Sequence, residues 1–377
     1  MKNLLIRVAA STALFIFSST PSALAASFMG LGSVPGGVAT HSALGVSANG
    51  FAVVGTGRSL DGMEAFLWTE SGGLQGLGDL PGGDFNSRAW GVSNDGTKVV
   101  GTSHVGPGQS EAFLWSNSDG MQGLGDLAGG HFASAARGIS ADGMRVVGWG
   151  NNTAFNAEAF LWTEVGGMQG LVNLGVSFSN IALGISTDGS TVVGTSNSPN
   201  GNIPMRWTES GGMQALPNST FPNIAYDISA DLSTVIGINT ASGETGFRWT
   251  EAGGIQGLGV LSGQSTSRAF AVSGNGSVVV GDNNGVTAFI WDEVNGMRNL
   301  RDVLINDFGL GVELDNWHLQ TAWDISDDGL TIVGRGTNNG RLEAWIARLD
   351  PVKTPEPSFV VGLGLFLGFT TLSAKRR

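Results

Sequence analysis

The side chains here that could do covalent or metal chemistry are few and scattered. One tyrosine, Tyr226, and four histidines, His41, His104, His131 and His318, fall in different parts of the chain without metal-ligand spacing. There is no cysteine, which excludes disulfides, thiolate catalysis and cysteine zinc sites together. No Gly-x-Ser-x-Gly elbow occurs. The Gly-Leu-Gly-Asp copies could suggest a phosphate loop, but they recur as strand ends with no helix after them. The most regular acidic residues sit in Ser-x-[Asp/Asn]-Gly segments, ending at Asp95-Gly96, Asp142-Gly143, Asp188-Gly189, Asn275-Gly276 and Asp328-Gly329. They leave calcium as the one cofactor open. However, each segment lacks the oxygen count of a calcium loop, and Asp-Gly and Asn-Gly are what a two-residue hairpin turn needs.

What positions these residues is a repeat. A tryptophan closing an apolar run occurs at Trp68, Trp115, Trp162, Trp207, Trp249, Trp291 and Trp345, and a glycine after β-branched residues at Gly55, Gly101, Gly148, Gly194, Gly237, Gly281 and Gly334. The tryptophans are 42 to 54 residues apart, a period typical of propellers and solenoids. Each of the seven units reads as four strands: Ala-x-Gly-[Val/Ile]-Ser, a Val-Val-Gly run, Ala-Phe-Leu-Trp and Met-Gln-Gly-Leu-Gly-Asp-Leu. Small residues on the first strand suit a crowded axis, and the tryptophans read as core. Tyr226 occupies the slot held by Trp90, Phe270 and Trp323, which argues for packing and against a tyrosine nucleophile.

The chain ends complete the pattern. Phe28 to Gly37 (FMGLGSVPGG) matches the later Gly73 to Gly83 without a preceding tryptophan strand, whereas the seventh unit stops after Trp345 without such a strand. The expected fold is therefore all-β, a seven-bladed β-propeller at 26–350 closed by its N-terminal strand, which removes exposed edges. One insertion, Leu300 to Thr321, breaks the period. Leu300, Val303, Leu304 and Phe308 have helical spacing, and Asp315, Trp317 and His318 in the following loop are the candidate ligand contacts.

Residues 1–25 carry Lys2 and Arg7, an apolar run and Ala23-Leu24-Ala25, a signal peptide with cleavage expected before Ala26. Residues 351–377 hold Pro355-Glu356-Pro357, an apolar stretch at 358–374 of transmembrane-helix length and Lys375-Arg376-Arg377. The net charge of −12 excludes nucleic acid as a partner and favours neutral or cation-bridged glycans over directly bound acidic ones.

The C-terminal triplet, hydrophobic helix and basic end resemble the PEP-CTERM sorting signal of Gram-negative bacteria. That resemblance implies processing by an exosortase, transient inner-membrane insertion through the helix, and an association with exopolysaccharide and biofilm matrix. The repeats resemble the HAF repeat of extracellular proteins, with Glu64, Glu111 and Glu158 or Thr287 in place of the histidine. It implies an extracellular setting and no particular activity. The function expected is a secreted, non-catalytic binding scaffold at the cell surface or in the matrix, with extracellular polysaccharide as its partner. The alternatives are a polysaccharide lyase or hydrolase with acidic residues at the propeller mouth, or a purely structural coat protein.

Overall fold

The computed structural model describes residues 26–349 except 35–36, 38, 155, 172–173, 175–178, 200, 218–222 and 241–242. The expected leader with Ala23 and Ala25, and the C-terminal segment with Pro355, Glu356, Pro357, Lys375, Arg376 and Arg377, lie outside the described residues. Among the described residues no helix is long and apolar enough to cross a membrane.

Each of the first six sequence units folds as four antiparallel strands hydrogen-bonded in chain order. In the first unit they are Ala39–Val46, Ala52–Arg58, Met63–Thr69 and Gly73–Gly76. The second and third units join into one eight-stranded sheet through a single parallel bridge between Ala133 and Ser110. The repeated polar residues are consumed in building this pattern. The serine ending each inner strand is buried; Ser93 Oγ donates to Asp95 at 2.6 Å and accepts the Lys98 N–H at 3.0 Å, and Ser140, Ser186, Ser229 and Ser326 repeat the arrangement. The glycine of Val-Val-Gly allows close approach. A Cβ at Gly148 would overlap the Ala135 carbonyl on the inner strand, and Gly55, Gly101, Gly194, Gly237, Gly281 and Gly334 face the equivalent carbonyls.

Strand β1, Ser27–Gly30, pairs antiparallel with Arg341–Arg348 and supplies the fourth strand of the seventh unit. Its details repeat those of the intact units. The Leu31 N–H donates to the Ala344 carbonyl at 2.9 Å, as Leu77 does to Ala65 and Leu124 to Ala112. Glu343 accepts from the Gly32 N–H at 3.2 Å, as Glu64 does from Gly78 and Glu111 from Gly125. Glu64, Glu111 and Glu343, each next to the alanine of the third strand, thus grip the loop after the outer strand.

The hydrophobic clusters lie between adjacent sheets, because each strand pair exposes one apolar face toward its neighbour. Leu31, Val34, Val53, Phe66 and Trp68 pack with Val333, Ala344 and Ile346, so the first and seventh units share a core. The inner strands are further tied by backbone bonds from turn to turn: Asn94 N–H to Ala141 O, Ala141 to Thr187, Asp231 to Gly274, Gly274 to Asp327, and Asp327 to Ala48 across the junction of last and first units.

One landmark needs correction. Trp345 pairs with Gly334 and is fully buried, the place that Phe66 and Phe113 take opposite Gly55 and Gly101, so it stands in the phenylalanine slot of its unit. The tryptophan slot holds Ala347, whose partner across the ladder is Phe28. Elsewhere that pair is Trp68 with Leu74 or Trp115 with Met121. The bulk lost on one strand is returned by the other, which keeps the core filled.

Candidate functional site

Of the three candidate contacts after the insertion's helix, Trp317 is withdrawn into the core. Leu300–Asn306 is a helix, α1, whose first turn is capped by Asn299 accepting the Arg301 N–H at 2.9 Å, and whose Leu300, Val303 and Leu304 are buried. Arg301 donates to the carbonyls of Leu314 and Trp317 and so fixes the loop that follows. Trp317 is 7% exposed and packs edge-on against Phe28 at 5.1 Å; its indole fills the core beneath β1 and offers no face to a ligand. Asp315 and His318 are exposed, and no hydrogen bond joins them to each other or to Trp317. The four histidines stay apart, and no group of three or more His, Asp or Glu gathers as a metal site among the described residues. The turn aspartates spend their carboxylates on the preceding serine and on backbone N–H groups. Those bonds hold Asp95, Asp142 and Asp188 below the usual carboxylate range, led by the serine hydroxyl in each.

The side chains that do converge come from a slot the repeat made look structural. On all seven inner strands the ladder skips one residue, the x of Ala-x-Gly: Ala43 and Gly45 are paired with consecutive partners, and the same bulge recurs at each equivalent position. A bulge re-aims its extra side chain. While the alanine of every motif is fully buried between sheets, the bulged residue turns to the common axis. The slot reads Leu44, Trp90, Arg137, Leu183, Tyr226, Phe270 and Trp323 in chain order, and these line a cavity of about 580 Å³.

The lining is laterally divided. Tyr226, Phe270 and Trp323 form a continuous aromatic arc, with ring centroids 5.6 Å apart for the first pair and 4.5 Å for the second. Opposite them the Arg137 guanidinium lies 4.2 Å above the Trp90 ring. Arg335 stands 5.9 Å from the Trp323 ring and Arg268 5.4 Å from the Phe270 ring. Arg268 is neutralised by Asp282, which accepts from its Nε and Nη2 at 3.0 and 2.9 Å. Arg137 and Arg335 make no ion pair with a described residue, and the Nε of each is buried without a partner, as are the indole N–H groups of Trp90 and Trp323. Burial pulls Arg137 below the usual arginine range.

Below this chamber the axis narrows to a ring that includes Val46, Val92, Ile139 and Ile185 and two carboxylates, Asp227 and Asp324, which stand where other units have glycine or Ala271. Each reaches to the neighbouring unit. Asp227 accepts the N–H groups of Ile228 at 2.8 Å and Val272 at 3.0 Å, and Asp324 those of Ile325 and Val46, both at 2.8 Å. Burial pushes Asp227 up to about 7, and burial followed by the charge of Asp227 pushes Asp324 up to about 8. A second space of about 110 Å³ lies beneath, where the Thr187 hydroxyl donates across the axis to Asp327 at 3.1 Å. The channel narrows from the chamber toward that bond. The chamber can seat a small molecule or a chain end, with aromatic faces and cationic groups on its walls.

No family model and no curated protein matches this chain. Solved structures do. An oligogalacturonate lyase from Vibrio parahaemolyticus superposes with a TM-score of 0.55 at 11% identity, covering 86% of this chain and 97% of that one. An oligogalacturonate lyase in complex with manganese gives 0.51 at 12%, with the same coverage. TolB from Acinetobacter baumannii gives 0.47 at 13%, over 65% of this chain and 62% of that one. At such identities the two lyases speak to architecture alone, and the architecture they share with this chain is the β-propeller.

Proposed function

We propose that this chain is a seven-bladed β-propeller closed by its first strand, exported and sorted by an exosortase, and acting at the cell surface or in the biofilm matrix as a non-catalytic binder of extracellular polysaccharide. The observation that carries the binding reading is the arc of Tyr226, Phe270 and Trp323 lining the well. Aromatic faces stack on the apolar faces of sugar rings. Binding therefore belongs at the channel mouth and not at the insertion.

A lyase or hydrolase is the second reading, favoured by two carboxylates from different units in one channel, each held well above its usual range. Both are engaged by two backbone N–H donors and serve the junctions between units, so scaffold binding takes precedence. Passing the protein over immobilised extracellular polysaccharide from the producing organism tests both. Retention is expected, reduced at least tenfold in apparent affinity by Trp323→Ala, with the polymer's size distribution unchanged. Absence of retention sinks the binding reading, and shortening of the polymer would establish the enzyme.

A further inference from the structure

The bulk charge of −12 conceals a local reversal. Arg137 and Arg268 line the channel, Arg335 stands beside the Trp323 ring, and the exposed Arg88 lies near Arg137 and His41. Their potential counter-ions are accounted for. Asp282 is committed to Arg268 and also accepts from the Thr321 hydroxyl; Glu244 stands 3.8 Å from Arg268; Asp227 and Asp324 point at backbone N–H groups. Arg137 alone projects from the lining slot as a cation with an orphaned Nε and no acid beside it. A half-buried guanidinium with a sealed Nε and no carboxylate partner is under-satisfied in the empty protein, and an anion brought by a ligand to its open Nη groups adds the missing charge partner.

We propose that the well takes an acidic terminal sugar, a uronic-acid residue at a glycan chain end or branch tip, with its carboxylate on Arg137 and its ring against Trp323 and Phe270. The space narrows from about 580 Å³ to about 110 Å³ where the Thr187 hydroxyl meets Asp327, which suits a chain end or a short side group better than an internal segment. A planar carboxylate matches the guanidinium fork, and a sugar ring matches the arc facing it. This rests on the glycan-binding reading above and replaces the neutral glycan that net charge alone suggests.

The test uses the whole chain and trisaccharides ending in glucuronate, galacturonate or mannuronate, each paired with its carboxyl-reduced neutral counterpart, titrated by calorimetry and tryptophan fluorescence. At least one acidic form is expected to bind tenfold or more tightly than its neutral partner. Arg137→Gln is expected to erase that preference, and Arg137→Lys to keep part of it, with thermal melting confirming that both variants fold. If acidic and neutral forms bind equally and Trp323→Ala weakens both, glycan binding stands and the acidic-sugar inference is overturned. If neither binds, both are overturned. An acidic preference that survives in Arg137→Gln also overturns the assignment.

Discussion

Deleting residues 26–34 is expected to abolish cooperative thermal unfolding and convert the protein into a soluble aggregate. The segment buries Phe28 at 6% exposure, Leu31 at 6% and Val34 at 1%. At about 1.5–3 kcal/mol for each buried side chain, their loss comes to about 5–9 kcal/mol, comparable with the whole stability of an ordinary domain. The deletion also uncovers Arg341–Arg348 as an unpaired edge, and such an edge recruits other chains. Phe28→Ala is the graded version. It leaves Trp317 and Trp345, whose rings lie 5.1 and 6.0 Å from Phe28, against a cavity, for about 3–5 kcal/mol. Circular dichroism melts with size-exclusion chromatography read both. A truncated chain that melts at the parent temperature as a monomer would show that the first strand is dispensable.

The second large effect is on pH. Asp227 and Asp324 titrate near 3.8 when unfolded and near 7 and 8 in the fold. Between those values the native chain holds protons that the unfolded chain has released. The stability they contribute is present in full below about pH 4 and is lost as pH rises through 7 and 8. The slope is about 1.4 kcal/mol per pH unit for each carboxyl. Two kinds of group oppose it. The turn aspartates, held low, favour the fold only above their own titration, and His41, lowered by burial with Arg58 and Arg88 behind it, gains stability toward its unfolded value of 6.5. The expected melting temperature is highest near pH 4 and falls by pH 8, and Asp324→Asn flattens that fall whatever it does to absolute stability. A flat profile in the parent chain, or an unchanged slope in the variant, would show that these carboxyls are ionised in the fold.

The scaffold was largely legible because its signals are local and repeated. Asp-Gly turns, Val-Val-Gly runs and the orphan Phe28 segment each specify one backbone feature, and the ladder joins them as expected. The helix after Asn299 was legible from the spacing of Leu300, Val303 and Leu304. Trp345 was misassigned because an aromatic landmark ignores register; only its pairing with Gly334 reveals the shift.

The well was missed for a different reason. Treating repetition as structural hid the bulged slot, although its contents, leucine, tryptophan, arginine, leucine, tyrosine, phenylalanine and tryptophan, vary more than anything else in a nearly constant motif. Variation within a fixed frame is the signal that was available. The same inspection would have found Asp227 and Asp324 replacing glycine, whereas Trp317 drew notice for standing off the period and proved to be core beneath β1. The lateral division of the well had no local signal, since it depends on which units face each other around the axis.

Amide hydrogen exchange in β1 tests the closed ring most directly. With the N–H groups of Ser27–Gly30 paired to Arg341–Arg348 and Phe28 locked between Trp317 and Trp345, the bonded amides of β1 should exchange as slowly as those of Thr331–Asn338 and through the same global opening. Exchange of β1 at the rate of a free chain end, while Thr331–Asn338 stays protected, would contradict closure by the first strand.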